Sequence, residues 1–336
     1  MARRSDRTTG LPRPRRRERP PSRGRTVAGI PWNDRSVHLA VISAAAALLA
    51  IVVMLAAASV YHDRWGHGRE VILRVGTEEF TLNYFADRYF DYATSSPTGA
   101  VTIDIGLMGQ LEREGILLLL ARERGVDLSD AAIDRQIAAD LGIVVGGDGT
   151  TFDRAVRNEL RTSQMSLATY RRKEEARAAE TGLRASLREE VGTRGELLTL
   201  RVVVLSTKDA ADNVRQRILA GENMGTIAQT ESIDLVSKAE DGLREPTPPD
   251  LLEAVIKEAL AGKGTGETVG PVPVNDSEYW VIRVEARDTG DYSDIQASDL
   301  AGIRLDQVVA AKRATTTIRR SADAGDLTWA SEKAGS

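Results

Sequence analysis

Between Val37 and Tyr61 the chain runs 25 residues without one Asp, Glu, Lys or Arg, and the stretch from Ala40 reads AVISAAAALLAIVVMLAAASV. A helix rises about 1.5 Å per residue, and about 20 apolar residues cross the hydrocarbon of a bilayer. This segment is long enough, so residues 37–61 are expected to form a transmembrane signal anchor. Residues 1–36 before it carry 11 arginines, no lysine and three acids, with Pro12, Pro14, Pro20, Pro21 and Pro31. So basic and proline-rich a segment cannot bury enough surface to offset its ordering entropy, and it is expected to be a disordered tail. Its charge of +8 leaves −12 for the rest of the chain. Basic before and acidic after places the N-terminus in the cytoplasm and the bulk of the chain outside it. A cleaved signal peptide is the rival, with Ala56-Ala57-Ala58 as a small-residue cleavage site. Its apolar core would be ~7–15 residues behind a short basic region, and both are too long here. The run Arg15-Arg16-Arg17 also invites a nucleic-acid reading. Topology and attraction to anionic lipid account for it more simply, so no nucleic-acid partner is expected.

Two absences narrow the chemistry. There is no cysteine, so disulfides, thiolate metal sites and a cysteine nucleophile are excluded. The histidines are His38, His62 and His67, and none follows. The extracytoplasmic body therefore cannot hold a Ser-His-Asp triad, a histidine zinc site or an imidazole acid/base. No cofactor and no metal is expected.

Beyond the anchor, Val71–Val75 reads as a short strand ending at Gly76. Helical spacing follows: Leu107, Leu111 and Leu118; Ile133, Ile137 and Leu141; Phe152, Val156 and Leu160; Tyr170, Leu183 and Leu187. Ser129 and Ser166 suit N-caps, and Gly125 and Gly142 suit helix ends. Gly146-Gly147-Asp148-Gly149 reads as a loop without a phosphate-binding pattern. The run Arg171-Arg172-Lys173-Glu174-Glu175 reads as a solvated, salt-bridged helix face.

The texture changes near residue 197. Leu198–Leu205 is a strand by its β-branched content. Helices are expected at Ala211–Ile218, at Met224–Ala228 and over 251–260, with a turn-rich stretch through Asp234, Asp241, Gly242 and Pro246. Strands at Val269–Val274 and Tyr279–Glu285 close an α+β module with an antiparallel sheet. A last helical region spans Ala297–Arg320.

This module resembles a parvulin-type peptidyl-prolyl isomerase domain. The residues are LRVVVL at 200–205, AADNVRQRILAGENMGTIAQTES at 210–232, the SID that ends at Asp234, DGL at 241–243, PPDLLEAVIKEAL at 248–260, VGPVPV at 269–274 and EYWVIRVEAR at 278–287. The segment before it resembles the N-terminal chaperone domain of SurA- and PrsA-type foldases. There the residues are VILRVGTEEFTLNYFADRYF at 71–90, LMGQLEREGILLLLARERGVDLSDAAIDRQIAADLG at 107–142 and LATYRRKEEARAAETGLRASL at 167–187. The two resemblances imply an α+β protein with a single N-terminal transmembrane helix. A SurA-like chaperone domain would span 70–195 and a parvulin-like domain 196–288. A C-terminal helix in 289–336 would pack back on the chaperone domain and be followed by a tail.

The resemblance also implies a site: two histidines, an Asp or Cys and an apolar proline cup. Prolyl isomerisation crosses a rotation barrier of ~18–20 kcal/mol without making or breaking a bond, so an apolar, water-poor cup is the core of the chemistry. The first histidine position matches Val203 and the second Trp280. The acid position matches Asp234, the remaining apolar position Met224, and the cup Leu251 or Leu252. With both histidines replaced, the implied catalytic set shrinks to Asp234, whose plainer role is a turn or cap. The substrate-binding set is Val203, Met224, Leu251, Leu252 and Trp280. The expected function is an extracytoplasmic, membrane-anchored foldase acting on unfolded or secreted polypeptides, its isomerase activity weak or lost. The alternative is a non-catalytic protein-interaction module near the secretion machinery.

Overall fold

The computed structural model describes residues 26–27, 30–31, 34–61, 66–95, 100–144 and 149–334. The chain divides into two units, Met1–His67 and Gly68–Ser336. In the first, β1 (Thr26–Val27) and β2 (Ile30–Pro31) pair antiparallel. A 28-residue helix, α1 (Asp34–Tyr61), follows. Its described aliphatic side chains, from Leu39 to Leu55, are exposed. Among the described residues no helix is long and apolar enough to cross a membrane. In α1 the side chains of residues 34–37, 40 and 57–61 lie outside them. The expected disordered tail and its arginine run at 15–17 fall outside the described residues almost entirely, and the glycine loop before Gly149 does so too.

The second unit begins with a hairpin, β3 (Val71–Val75) and β4 (Glu78–Thr81). Four helices and a fifth long one follow: α2 (Leu82–Ser95), α3 (Ala100–Glu123), α4 (Asp130–Asp140), α5 (Gly149–Ser163) and α6 (Leu167–Val191). The caps stand where the sequence places them. The Ser129 hydroxyl accepts the Ala132 N–H at 3.3 Å, and Ser166 accepts the Thr169 N–H at 3.2 Å. α2, α3 and α6 bury a core against the hairpin, with Leu73, Phe85, Leu107, Leu111, Leu118 and Leu183 fully enclosed, and α4 and α5 close a second cluster around Ile133, Ile137, Val156 and Tyr170. Gly115 lets α3 lie directly on β3, since a Cβ there would sit 2.8 Å from the Val75 Cβ.

The face of α6 from Arg171 to Glu175 is not solvated as expected. Arg171 bridges to Asp130 (2.8 Å) and Asp134 (2.6 Å) on α4. Lys173 reaches Asp91 on α2 (2.8 Å), and Arg172 holds the buried Glu78 of β4. Glu174 is 1% exposed. The charges are docking contacts between elements, which the helix pattern alone cannot distinguish from surface pairs. Burial lifts the Glu174 carboxyl, and the neighbouring Asp140 carboxylate lifts it further, to about 8.

The module then leaves α6 and returns to the same lobe. Its strands are β5 (Arg194–Leu205), β6 (Thr268–Asn275) and β7 (Glu278–Asp291), in antiparallel order β5-β7-β6. Between β5 and β6 come α7 (Lys208–Leu219), α8 (Met224–Glu231), α9 (Leu235–Ala239), a 3-10 turn at Pro249–Leu251 and α10 (Ala254–Ala259). The turn-rich stretch contains a strand-like edge that the sequence did not announce. Leu198 and Thr247 exchange backbone hydrogen bonds (2.9 and 3.0 Å), Arg244 N–H donates to Leu200 O (2.8 Å) and Val202 N–H to Gly242 O (2.7 Å). Gly242, at φ +77°, is what allows this approach, because a Cβ there would lie 2.6 Å from the Val202 carbonyl.

The helix expected over 251–260 is broken. Leu252 and Glu253 have extended backbone, and α10 starts only at Ala254. Pro248 and Pro249 fix the chain into the 3-10 turn first.

After β7, α11 (Asp294–Thr315) packs on α6 and α3 and buries Ala301, Leu305 and Val309 in the lobe's core. It stops five residues short of the expected Arg320. The β-branched run Thr315-Thr316-Thr317-Ile318 turns into β8 (Ile318–Arg320), which pairs with β3. The expected tail is instead a further helix, α12 (Ala324–Ala334), lying on α2 with Ala330 buried. The fully buried Glu112 of α3 fastens this return by accepting from Arg313 (2.7 Å) and from Arg320.

Candidate functional site

β5 is apolar at every position from Val202 to Leu205, and all four are buried. The pleat sends alternate residues to opposite faces. Val203 and Leu205 join Val281, Ala211, Val214, Ile218, Met224, Ile227 and Ala228, which α7 and α8 close over completely. Leu198, Leu200, Val202 and Val204 join Ile282, Val284, Val269, Val272 and, from α10, Ile256 and Leu260. Trp280 packs against this second cluster, opposite Val204 in the β5–β7 ladder.

The second face is covered only in part. A cavity of about 940 Å³ opens on it. Leu200, Val202, Ile256 and Trp280 line its depth; Leu243, Val236, Leu251 and Leu252 its sides; Glu240, Glu245 and Glu253 its rim. Leu251 ends the 3-10 turn, Leu252 is extended, and both line this space.

Three of the six expected site residues therefore share one cavity: Trp280, Leu251 and Leu252. Val203 and Met224 do not. Both are 0% exposed on the closed face. Val203 and Trp280 lie on opposite faces of the sheet. The valine on the face of Trp280 is Val202, since a one-residue slip along a strand exchanges the faces.

Asp234 stands beside the cavity without lining it. Its carboxylate accepts the Ser237 N–H and hydroxyl (both 2.7 Å) as the N-cap of α9, and accepts from the Arg244 guanidinium (2.7 Å). Burial raises its carboxyl, but the Ser237 bonds and then Arg244 outweigh that and hold it below the ordinary range. It is a charged tether at neutral pH, suited to holding Arg244 rather than to proton transfer. Arg244 in turn lies 5.9 Å from the centre of the Trp280 ring. The Trp280 Nε1–H is buried and has no hydrogen-bond partner among the described residues. Ser232, the first residue of the SID run, is fully buried and accepts the Val204 N–H (3.1 Å), which pins the end of β5.

Sequence reasoning missed Val202, Val236, Leu243 and Arg244. A usable signal existed for Val202: with Trp280 taken as a groove residue, the alternate positions of β5 divide into two sets, and only one contains Leu198 and Leu200. The others sit in a stretch whose polarity hides its strand-like pairing.

No protein-family model matches the sequence, and no curated protein matches it. Among solved structures, the neighbours are PrsA- and SurA-like foldases. One is the peptidylprolyl isomerase PrsA from Bacillus cereus, at 12% identity over 80% of this chain and 100% of that one, with a TM-score of 0.40. The PrsA of Bacillus anthracis is similar at 12% identity over 67% and 94%, with a TM-score of 0.38. A structure reported for the SurA-like chaperones PEB4 and Cj1289 of Campylobacter jejuni is similar at 16% identity over 55% and 90%, with a TM-score of 0.27. Superpositions this loose bear no functional weight, which rests on the chain's own groove.

Proposed function

We propose that this chain is a polypeptide-holding foldase whose module binds apolar, proline-containing segments and catalyses their isomerisation weakly or not at all. The observation that carries this is the open face of the module's sheet. Its cavity is floored and walled by aliphatic side chains and one indole, and its titratable groups are Glu240, Glu245 and Glu253 on the rim and Arg244, tied to Asp234. Such a groove can desolvate a proline ring. It offers no imidazole to tune the carbonyl during rotation, so binding outlives catalysis. The clients are unfolded or secreted polypeptides, held by many weak apolar contacts.

The proposal includes the anchor. The uncharged run from Val37 to Tyr61, the basic residues before it and the exposed aliphatic side chains of α1 support a single span with the N-terminus in the cytoplasm.

The test is direct. The soluble portion from about Arg69 is added to a refolding, aggregation-prone protein, and to a proline-peptide isomerisation assay. Suppressed aggregation with a near-background isomerisation rate is expected. An ordinary isomerase rate would refute the weak-catalyst reading. No suppression at any stoichiometry would leave the interaction module. Protease applied to spheroplasts should digest the large body, and its protection would reverse the topology.

A further inference from the structure

We infer that the groove selects apolar segments flanked by lysine or arginine. This deepens the proposed function and rests on it. Carboxylates at the packing contacts of the helical lobe, Glu78, Glu112, Glu114 and Asp91, have cationic partners. Those on the groove rim do not. Glu240, Glu245 and Glu253 line the cavity, are exposed, and have no ion-pair partner among the described residues. The cation among the lining residues, Arg244, is bound to Asp234 at 2.7 Å, so it does not neutralise them. Lys257, on α10 nearby, is likewise committed to Asp250 at 2.5 Å.

The carboxylates come from three separate places. Glu240 follows α9, Glu245 lies on the strand-like edge, and Glu253 caps α10. All three line the same apolar space. An extended segment seated in the groove would place its apolar residue against Trp280, Leu251 and Leu252. Its neighbours in sequence would lie near the rim, because adjacent side chains of an extended chain point to opposite sides. Cationic flanks meet unpaired carboxylates there, and acidic flanks meet repulsion.

The experiment uses the full chain in detergent and three labelled peptides sharing a central Leu-Pro, flanked on both sides by arginine, by serine or by glutamate. Binding is read by fluorescence anisotropy. The expected order is arginine, serine, glutamate, with about a tenfold spread between the ends at low salt. The spread should shrink as salt approaches ~1 M, where the screening length is about 3 Å. In a Glu240→Gln/Glu245→Gln/Glu253→Gln variant the three affinities should converge to within about twofold. Equal affinities in the unmodified protein, or tighter binding of the glutamate peptide, would overturn the preference and leave the groove reading standing. Failure of all three peptides to bind would overturn the groove reading, and the preference with it.

Discussion

The two faces of the module's sheet are made from the same run of β5, yet one is finished and the other is not. Val203 lies under α7 and α8 with Met224, both wholly enclosed. Val202, next in the chain, lies at the bottom of a cavity of about 940 Å³. The closed face supplies stability. On the other face Leu200, Val202 and Ile256 are buried too, and the partly exposed apolar surface is that of Trp280, Leu243, Leu251 and Leu252. The comparison teaches that within one buried strand, role is assigned by parity of position rather than by residue type.

Substitutions can break or sharpen that contrast. The largest effect is expected on the closed face. Met224→Ala should cost about 2–5 kcal/mol of stability by leaving a cavity in a sealed core, measured by denaturant unfolding. If its cost were under about 1 kcal/mol, the face would not be sealed. Next, Trp280→Ala should lower proline-peptide affinity at least about tenfold, as loss of an aromatic anchor does. Its melting temperature should fall less than that of Met224→Ala. The reverse pattern, intact binding with a collapsed fold, would make Trp280 a plain core residue.

A third change tests the one-residue slip. Val202→His combined with Trp280→His places two imidazoles on one face and should raise prolyl isomerisation above the unmodified protein. Val203→His places an unpartnered imidazole in the sealed face. It should destabilise by about 1–3 kcal/mol without raising the rate. A faster Val203→His protein would reinstate the other register.

The smallest effect lies in the helical lobe, away from both faces. The Glu174 carboxyl is pushed up to about 8 by burial and then by Asp140. A raised acid binds its proton more tightly in the folded state. Its contribution is therefore complete below about 4.5, the unfolded value, and is lost as pH rises through about 8. The melting temperature should decline between about pH 6 and pH 9, and Glu174→Gln should flatten that decline. An unchanged slope would show that Glu174 is not the group responsible, and peptide binding by the module should be unaffected either way.

Much of the architecture is legible in the sequence because short-range rules set it. Ser129 and Ser166 announce helix starts by cap chemistry, and Ile133 and Ile137 announce a buried stripe by spacing. The β-branched run at 202–204 announces a strand. That run does not announce which face each valine takes. A strand buried on both sides has no polar alternation to read, so Val202 and Val203 are indistinguishable until helices are placed over one of them. The edge at 242–247 was hidden for the opposite reason: its residues are polar, and its pairing with β5 follows from Gly242. The lobe's buried charges were hidden too. Arg88 donates to Glu114 at 2.8 Å while 1% exposed, and two residues 26 apart on different helices carry no spacing that marks them as partners.

The ladder between β5 and β7 begins where Arg194 stands opposite Asp291 and continues to Leu205 opposite Tyr279. Entrance and exit of the module are thus neighbours across one strand spacing, about 4.8 Å. The cassette joins the helical body through this two-ply ribbon and through a second contact, where the Gln296 side chain of α11 donates to Pro246 O at 2.8 Å. A few glycines could bridge the gap left by cutting it out, and a foreign hairpin-ended domain could be spliced in.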